Sequence, residues 1–472
     1  MEEVEAKPKS KVEVALRLGR EEPPFPELIP PLSPEEARAE ASRCLRCGGP
    51  VAPAPCIEAC PARIDIPKFI WEIHRGDYEA AARTIFAANV LGGTCGRVCP
   101  VEELCEGACV LISEGRRPVA IGRLQRFAAE WALEEGLALL RRTSDEGRGR
   151  SVGVIGAGPA GLACAGELAK LGYRVTIYEA DEEWPGGLVT HAIAPYKQHI
   201  EPLPEEVEQL RQLGVELELG QAVGEAGAEA EGVPLEELER RHEALFLGVG
   251  MDGDVQVDWE GSDLEGVYNS LEFIEQLKLG DRRKLRVGER VAVIGGGNTA
   301  IDVAREAVRL GAKDVMILYR RTEEQMPAFR EEVREAHREG VHFYWLTAPK
   351  RFLGKHRVEG IECIHMRLGE PDSSGRPRPE PVPGTEFTLE VDTVIKAIGQ
   401  RPRTELLEKI PGLELERGLV KVDPETGQTS NPKYFAGGDC VNGGATVVQA
   451  VHDGKRAAWG IHRWLTGRSR NR

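Results

Sequence analysis

The sequence predicts an α/β protein with a small helical domain in front, and three observations predict it. From about residue 151 onward, strand-like apolar runs alternate with helix-like patterns, which implies βαβ units and a parallel sheet. One such unit occurs twice, as SVGVIGAGPAGLACAGELAKLGYRVTIYEA (151–180) and RVAVIGGGNTAIDVAREAVRLGAKDVMILYRR (290–321). Each reads as an apolar strand, a glycine-rich turn, a helix and a second apolar strand, a repeated supersecondary unit rather than a solenoid period. Before residue 150 helical spacing dominates instead, and eight of the 11 cysteines crowd together there.

The size fits this division. A chain of 472 residues corresponds to roughly three domains. Its net charge of −16, from 61 basic and 77 acidic residues, argues against nucleic acid as a partner. The charged start MEEVEAKPKSKVEVALRLGR has no apolar core of a secretory signal. No uninterrupted apolar run is long enough to span a bilayer. The expectation is a cytoplasmic protein with no membrane contact, in which clustered cysteines act as metal ligands or redox centres.

In chain order, residues 21–33 (EEPPFPELIPPLS) form a proline-rich, extended lead-in. Ser33-Pro34-Glu35-Glu36 reads as a helix start, with Ser as N-cap, Pro at N1 and Glu at N3, and this helix delivers Cys44. Helical spacing predicts further helices over Pro67–His74, Asp77–Asn89 and residues 119–140. The polar run 141–150 (RRTSDEGRGR) reads as a linker, so residues 1–145 form the helical domain.

In the first repeated unit, Gly156-Ala157-Gly158-Pro159-Ala160-Gly161 is G-x-G-x-x-G. The first glycine permits the tight turn, the second lets backbone approach a pyrophosphate, and the third lets helix pack on strand. The helix N-terminus offers unpaired N–H groups and positive potential. Glu179 ends the second strand, 21 residues after Gly158, where a carboxylate accepts from ribose hydroxyls. Strand, turn, helix, strand and acid together indicate a Rossmann-like dinucleotide site rather than an ordinary glycine turn. In the second unit, Gly295, Gly297 and Ala300 fit G-x-G-x-x-A, with Asn298 and Thr299 between them. Its second strand ends in Arg320 and Arg321, not in an acid. Guanidinium groups there favour the 2′-phosphate of NADPH over NADH, unless the two arginines merely form a solvated face.

Late in the chain, YFAGGD (434–439) and GGATVVQAVHDGKRAA (443–458) form an apolar strand ending in Gly438-Asp439, then a helix start at Ala445-Thr446-Val447. This resembles the C-terminal FAD motif of flavoproteins with two dinucleotide domains. The resemblance implies that Asp439 holds the ribityl chain and that the helix N-terminus faces the flavin, whose reduced form carries negative charge. By the same resemblance PGGL (185–188) would cover the flavin, with Gly187 and Leu188 in it. FLGVG (246–250) and VIKAIG (394–399) resemble the crossover strands of such proteins, ending at Gly250 and Gly399. The NADPH domain is therefore expected as an insertion in the FAD domain: 146–250 and 398–472 for FAD, 251–397 for NADPH.

The cysteines occur as Cys44, Cys47, Cys56 and Cys60, then Cys95, Cys99, Cys105 and Cys109. Neither dinucleotide domain holds the C-x-x-C of a thiol reductase, and Cys164, Cys363 and Cys440 read as small buried residues. Two Cys-Pro pairs, at Cys60 and Cys99, suit ferredoxin-type ligation. Zinc is the alternative, making the front domain a docking scaffold, but zinc gives a flavoenzyme nothing to reduce.

With these motifs, and RCLRCG, CGRVCP and LYRRTEEQMPA beside them, the chain resembles the small (β) subunit of NADPH-dependent glutamate synthase from about Ser33 to Trp464. The same module is similar to the N-terminal half of dihydropyrimidine dehydrogenase and to the larger subunit of NADH-dependent ferredoxin:NADP oxidoreductase. The resemblance implies two 4Fe–4S clusters. One is held by Cys44, Cys47, Cys56 and Cys109, and the other by Cys60, Cys99, Cys105 and Gln125. The residues alone leave Cys95 open as the eighth ligand in place of Gln125. Eight residues intervene between Cys47 and Cys56, where the family has four. The implied function is electron transfer from NADPH through FAD and the clusters to a large catalytic subunit of the glutamate synthase type, or to ferredoxin.

Overall fold

The computed structural model describes residues 25–467 apart from 50–51, 225, 228–229, 281, 283–284 and 372–374. The charged start, residues 21–24 of the lead-in, and Pro50 and Val51 between Cys47 and Cys56 lie outside the described residues.

The helical front begins as its sequence dictates. Ser33 Oγ accepts from Glu36 N–H at 3.3 Å and Glu36 Oε2 accepts from Ser33 N–H at 2.8 Å, which closes a reciprocal cap on the helix Pro34–Ala41. The Cys44 N–H donates to Ala41 O, so that cysteine sits directly past the helix end. Asp65 and Asp77 cap the helices Ile66–His74 and Tyr78–Ala88. Phe69, Ile70, Ile73, Ile85 and Phe86 are fully buried there, each contributing about 1.5–3 kcal/mol of burial. The helix expected over 119–140 is shorter, Ile121–Glu134. Gly136 takes φ +67°, a left-handed conformation that closes it. Leu139 then runs on buried, its N–H on Gln209 Oε1 at 2.7 Å. Residues 141–150 are a strap packed on the next domain: Thr143 and Ser144 N–H groups donate to Lys170 O, and Gly147 lies against the Tyr173 ring.

Two five-stranded parallel sheets follow. The first has the order Tyr434–Ala436, Ala244–Leu247, Ser151–Ile155, Arg174–Tyr178, Glu216–Glu218. The second has the order His342–Trp345, Asp314–Tyr319, Arg290–Ile294, Thr393–Lys396, Val267–Asn269. The first sheet takes its edge strand from residues that come after the whole second sheet, so the second domain is inserted in the first. The two crossings run side by side: Met251–Asp254 pairs antiparallel with Gln400–Pro402. The inserted domain also carries an antiparallel sheet that no sequence pattern announced, built from Thr347–Gly354, Val358–Pro371, Pro377–Pro381 and Phe387–Glu390.

The helices Pro159–Lys170 and Val447–Thr466 cross closely over the first sheet. A Cβ at Gly454 would stand 2.1 Å from Ala160 O, so only glycine permits this approach. Cys164, Cys363 and Cys440 are buried, as expected of small apolar residues. Among the described residues no helix is long and apolar enough to cross a membrane.

Candidate active site

The first glycine turn is built for close approach. Gly156 has φ +98°, and a Cβ there would meet Gly248 O at 2.5 Å. A Cβ at Gly161 would meet Gly156 O at 2.0 Å, so the third glycine lets the helix fold back on the turn. Gly158 faces open space, with nothing nearer than Gly248 O at 3.9 Å. The helix Pro159–Lys170 that it starts has no side-chain cap, which leaves its first N–H groups for a ligand. Glu179 Oε2 accepts from Ala157 N–H at 2.7 Å and Oε1 from Asp181 N–H at 3.0 Å, so the acid lies against the turn. The Gly186 N–H donates to Ala157 O at 2.9 Å, which folds Gly187 and Leu188 over the same turn. Gly187 takes φ +53°.

The late motif closes the opposite wall. Asp439 Oδ1 accepts from Ala445 N–H at 3.2 Å. Burial pushes its carboxyl above the usual carboxylate range despite that bond. Thr446 caps the helix Val447–Thr466, accepting from Gln449 N–H at 3.2 Å. Asp453 was not singled out from sequence. It is 3% exposed and accepts from Gly438 N–H and Asn442 Nδ2 at 3.2 Å each, and from Gln449 Nε2 at 3.3 Å. Its available signal was an acid on the apolar face of VVQAVHDGKRAA, beside a glycine.

All these parts border one cleft of about 2480 Å³, more than twice the roughly 300–1,000 Å³ usual for one small ligand. Gly156, Gly158, Pro159, Ala160 and Glu179 line it, as do Gly187 and Leu188. Gly438, Asp439, Ala445, Thr446 and Val447 line it from the late motif. Gly250 and Gly399 line it at the domain crossings, and Asn298 and Thr299 from the second unit. The uncapped helix start, the open Gly158 and the adjacent acid fit a dinucleotide.

Ala157, Gly161, Gly295, Gly297 and Ala300 stand outside the wall. Gly297 starts the helix Asn298–Arg309, again without a side-chain cap, and nothing lies within 4 Å of where its Cβ would be. Gly295 has φ +143°, and a Cβ would meet Ala397 O at 2.0 Å. Neither Arg320 nor Arg321 is on the wall of the cleft. Arg321 is buried, its Nε donating to Pro377 O at 3.0 Å on the antiparallel sheet. Arg320 is exposed at the strand end.

The cysteines form two neighbourhoods. Burial pushes the Cys44 thiol up, and Cys47 and Cys109 add to the shift. Burial, with Cys44 and Cys109 adding, pushes Cys56 to about 12. Cys60, Cys99, Cys105 and Gln125 border a second cavity of about 20 Å³, and Cys95 borders it too. Cys99 is held well above its ordinary value, first by its hydrogen bond to Cys95 and then by burial. Gln125 Nε2 donates to Gly92 O at 2.7 Å, which occupies the amide nitrogen rather than the oxygen. A bound metal centre would favour the thiolate form of these cysteines.

Comparison with known proteins agrees with this assembly. Residues 150–454 match the pyridine nucleotide-disulphide oxidoreductase family. Residues 21–137 match the family described as dihydropyrimidine dehydrogenase domain II, 4Fe–4S cluster. The NADPH glutamate synthase small chain of Escherichia coli K12 is 38% identical over 93% of this chain and 94% of its own length. The NADP(+)-dependent formate dehydrogenase subunit beta of Moorella thermoacetica is 40% identical over 88% of this chain, which covers 60% of that longer protein. FprA from Mycobacterium tuberculosis superimposes with a TM-score of 0.56 at 20% identity, over 68% of this chain and 85% of that one, a likeness of fold. The chain belongs to the family of NADPH-dependent glutamate synthase small chains, oxidoreductases that carry FAD and 4Fe–4S iron–sulfur centres.

Proposed function

We propose that this chain oxidises NADPH and passes the electrons to a partner catalytic subunit of the glutamate synthase type, which makes glutamate from glutamine and 2-oxoglutarate. One observation carries the route. The first turn of the helix Val447–Thr466 borders both cavities: Thr446, Val447 and Gln449 line the large cleft, and Val448 lines the small cysteine cavity. The same helix is pinned to the cysteine domain. His452 Nδ1 stands 3.0 Å from Pro61 O, and Lys455 Nζ donates to Ala62 O at 2.9 Å.

When bound, FAD supplies hydride acceptance from NADPH and single-electron release to iron–sulfur centres. The chain's own residues hold and orient. Gly158 and the uncapped helix start receive the FAD pyrophosphate, and Glu179 accepts from ribose hydroxyls. Asp439 takes the ribityl chain, and the N-terminus of the helix Val447–Thr466 stabilises negative charge on the reduced ring. Gly297, Asn298 and Thr299 receive NADPH, with Arg320 as the partner for its 2′-phosphate. Cys44, Cys47, Cys56 and Cys109 hold one cluster. Cys60, Cys99, Cys105 and Gln125 hold the other, with Cys95 as a second-choice ligand in the same cavity. The division at 145/146, 250/251 and 397/398 belongs to this proposal.

Anaerobic purification followed by mixing with a large glutamate synthase chain tests the reading. The expected result is a brown protein holding flavin, iron and acid-labile sulfide, and NADPH-dependent glutamate formation by the pair. Zinc in place of iron overturns it. Electron delivery to ferredoxin alone moves the assignment to a ferredoxin oxidoreductase.

A further inference from the structure

The segment Leu188–Lys197 follows the PGGL turn of the FAD domain, and helices of the inserted domain close on it at three points. Lys278 Nζ, at the end of the helix Ser270–Lys278, donates to Val189 O at 2.9 Å and Ile193 O at 3.1 Å. His191 stands 2.9 Å from Glu275 on that helix and 3.3 Å from Asp181 on its own domain. Lys197 Nζ lies 2.7 Å from Asp302 Oδ1 and 3.0 Å from Glu332 Oε1.

The third point is the most elaborate. Tyr196 is 1% exposed, and its hydroxyl donates to Asp302 Oδ1 at 2.9 Å. Its ring lies beneath the guanidinium groups of Arg305 and Arg309, 4.8 and 4.4 Å from the centroid, which are attracted to its face. Glu339 binds both arginines, and Arg305 also reaches Glu332. Burial works against the Lys197 charge, but Asp302 and Glu332 outweigh it and raise its pKa.

The geometry has a direction. Asp302 sits one turn into the helix that begins at cleft-lining Asn298 and Thr299. Lys197 belongs to the loop that continues from Gly187 and Leu188. The pair therefore joins the helix start offered to the nicotinamide nucleotide with the loop folded over the FAD turn. Apolar packing alone holds two domains together without fixing their angle. Ion pairs largely withdrawn from water, as these are with Lys197 20% and Glu332 21% exposed, fix register, because a slip leaves charges unpaired.

We infer that Lys197 is a positioning residue: through Asp302 and Glu332 it sets the orientation in which the NADPH domain faces the FAD domain, and so the rate of hydride transfer. The inference rests on the proposed function, in which NADPH reduces a flavin held in this cleft.

The test compares Lys197→Met, Lys197→Arg and wild type as the full chain, purified anaerobically with flavin and clusters. Rapid mixing with NADPH reads flavin bleaching, titration reads NADPH affinity, and hydrogen exchange without nucleotide reads segments 188–197 and 298–309. Lys197→Met is expected to bleach roughly 100-fold more slowly, the scale of a misplacement of about 1 Å. NADPH affinity and flavin content stay at the wild-type level, and exchange rises in both segments. Lys197→Arg recovers most of the rate, since a guanidinium reaches both carboxylates. Lys350→Met, which removes an exposed pair with Glu386 on the antiparallel sheet, changes none of these readouts. If Lys197→Met fails to fold, Glu332→Gln carries the test with a smaller slowing in the same direction. Wild-type bleaching in the variants, or unchanged exchange, overturns the inference alone. A wild-type flavin that NADPH does not bleach overturns the proposed function and takes the inference with it.

Discussion

The two glycine-rich units share one plan and part at the end of their second strand. Both strands finish in a tyrosine, Tyr178 and Tyr319. After Tyr178 comes Glu179, whose carboxylate folds back onto the Ala157 N–H of its own turn. After Tyr319 come Arg320 and Arg321, and among the described residues no carboxylate is hydrogen-bonded to the turn at Gly295. There the Tyr319 ring packs so near Gly296 that a Cβ would meet it at 2.4 Å. On the proposed reading each turn receives a dinucleotide, and the residue after the second strand meets its adenosine ribose, an acid on the hydroxyls in one unit and an arginine on the 2′-phosphate in the other.

Breaking each turn separately gives the largest effects. Gly156→Ala forces φ +98° on alanine and drives its Cβ to 2.5 Å from Gly248 O. Gly295→Ala forces φ +143° and a 2.0 Å approach to Ala397 O. The backbone strain alone is worth about 1–3 kcal/mol in each. Gly156→Ala is expected to purify with most of its flavin lost. Gly295→Ala is expected to keep its flavin and lose NADPH binding. Absorbance at the flavin band and NADPH titration read the two losses, and a reversed pattern refutes the assignment of the two turns.

The two arginines sharpen the comparison on a smaller scale. Arg320→Ala is expected to weaken NADPH at least tenfold while leaving NADH unchanged, about 1.4 kcal/mol for a lost phosphate contact. Arg321→Ala removes the bond from the buried guanidinium to Pro377 O. Its effect is a loss of roughly 1.5–3 kcal/mol of domain stability, with the ratio of NADPH to NADH affinity preserved. Paired titrations and denaturant melts separate the roles. Equal loss of NADPH preference in both variants shows that the arginines act together on phosphate.

This pair also marks the limit of what the sequence disclosed. The strand, turn and helix of each unit were legible because their signals are local: periodicity, glycine spacing and capping residues within a few positions. The cap at Ser33 and the turn at Gly156 needed no distant partner. Arg321 was not legible, because the carbonyl that claims it lies 56 residues later in a Pro-rich hairpin with no periodicity of its own. The same holds for Glu206, which accepts from Gly93 N–H at 2.7 Å and Thr94 Oγ at 2.6 Å across 112 residues or more. The end of the helix at Glu134 was legible in principle, since Gly136 follows it at a C-cap spacing. The apolar run GLALL hid that signal.

The finest contrast lies beneath the two tyrosines. Tyr319 OH donates to the Gln325 carbonyl at 2.9 Å, a partner that does not titrate near neutral pH. Tyr178 OH stands 2.9 Å from His242 Nε2. Burial first, then the charges of Arg241, Arg174 and Lys433, holds that imidazole down at about 4. In the unfolded chain it titrates near about 6.5. Between those values the unfolded chain binds the extra proton and the folded chain does not, so stability falls as pH drops from about 6.5 toward about 4. The stabilisation is fully present above that window. His242→Gln keeps a polar group toward Tyr178 and removes the titration. Its melting temperature, followed by flavin fluorescence from pH 7 downward in steps, is expected to fall less steeply than wild type within the window. Tyr319→Phe is expected to lower the melting temperature by the same amount at every pH. A His242→Gln curve parallel to wild type shows that other groups set the acid limb and that the first unit owes nothing to the imidazole beneath it.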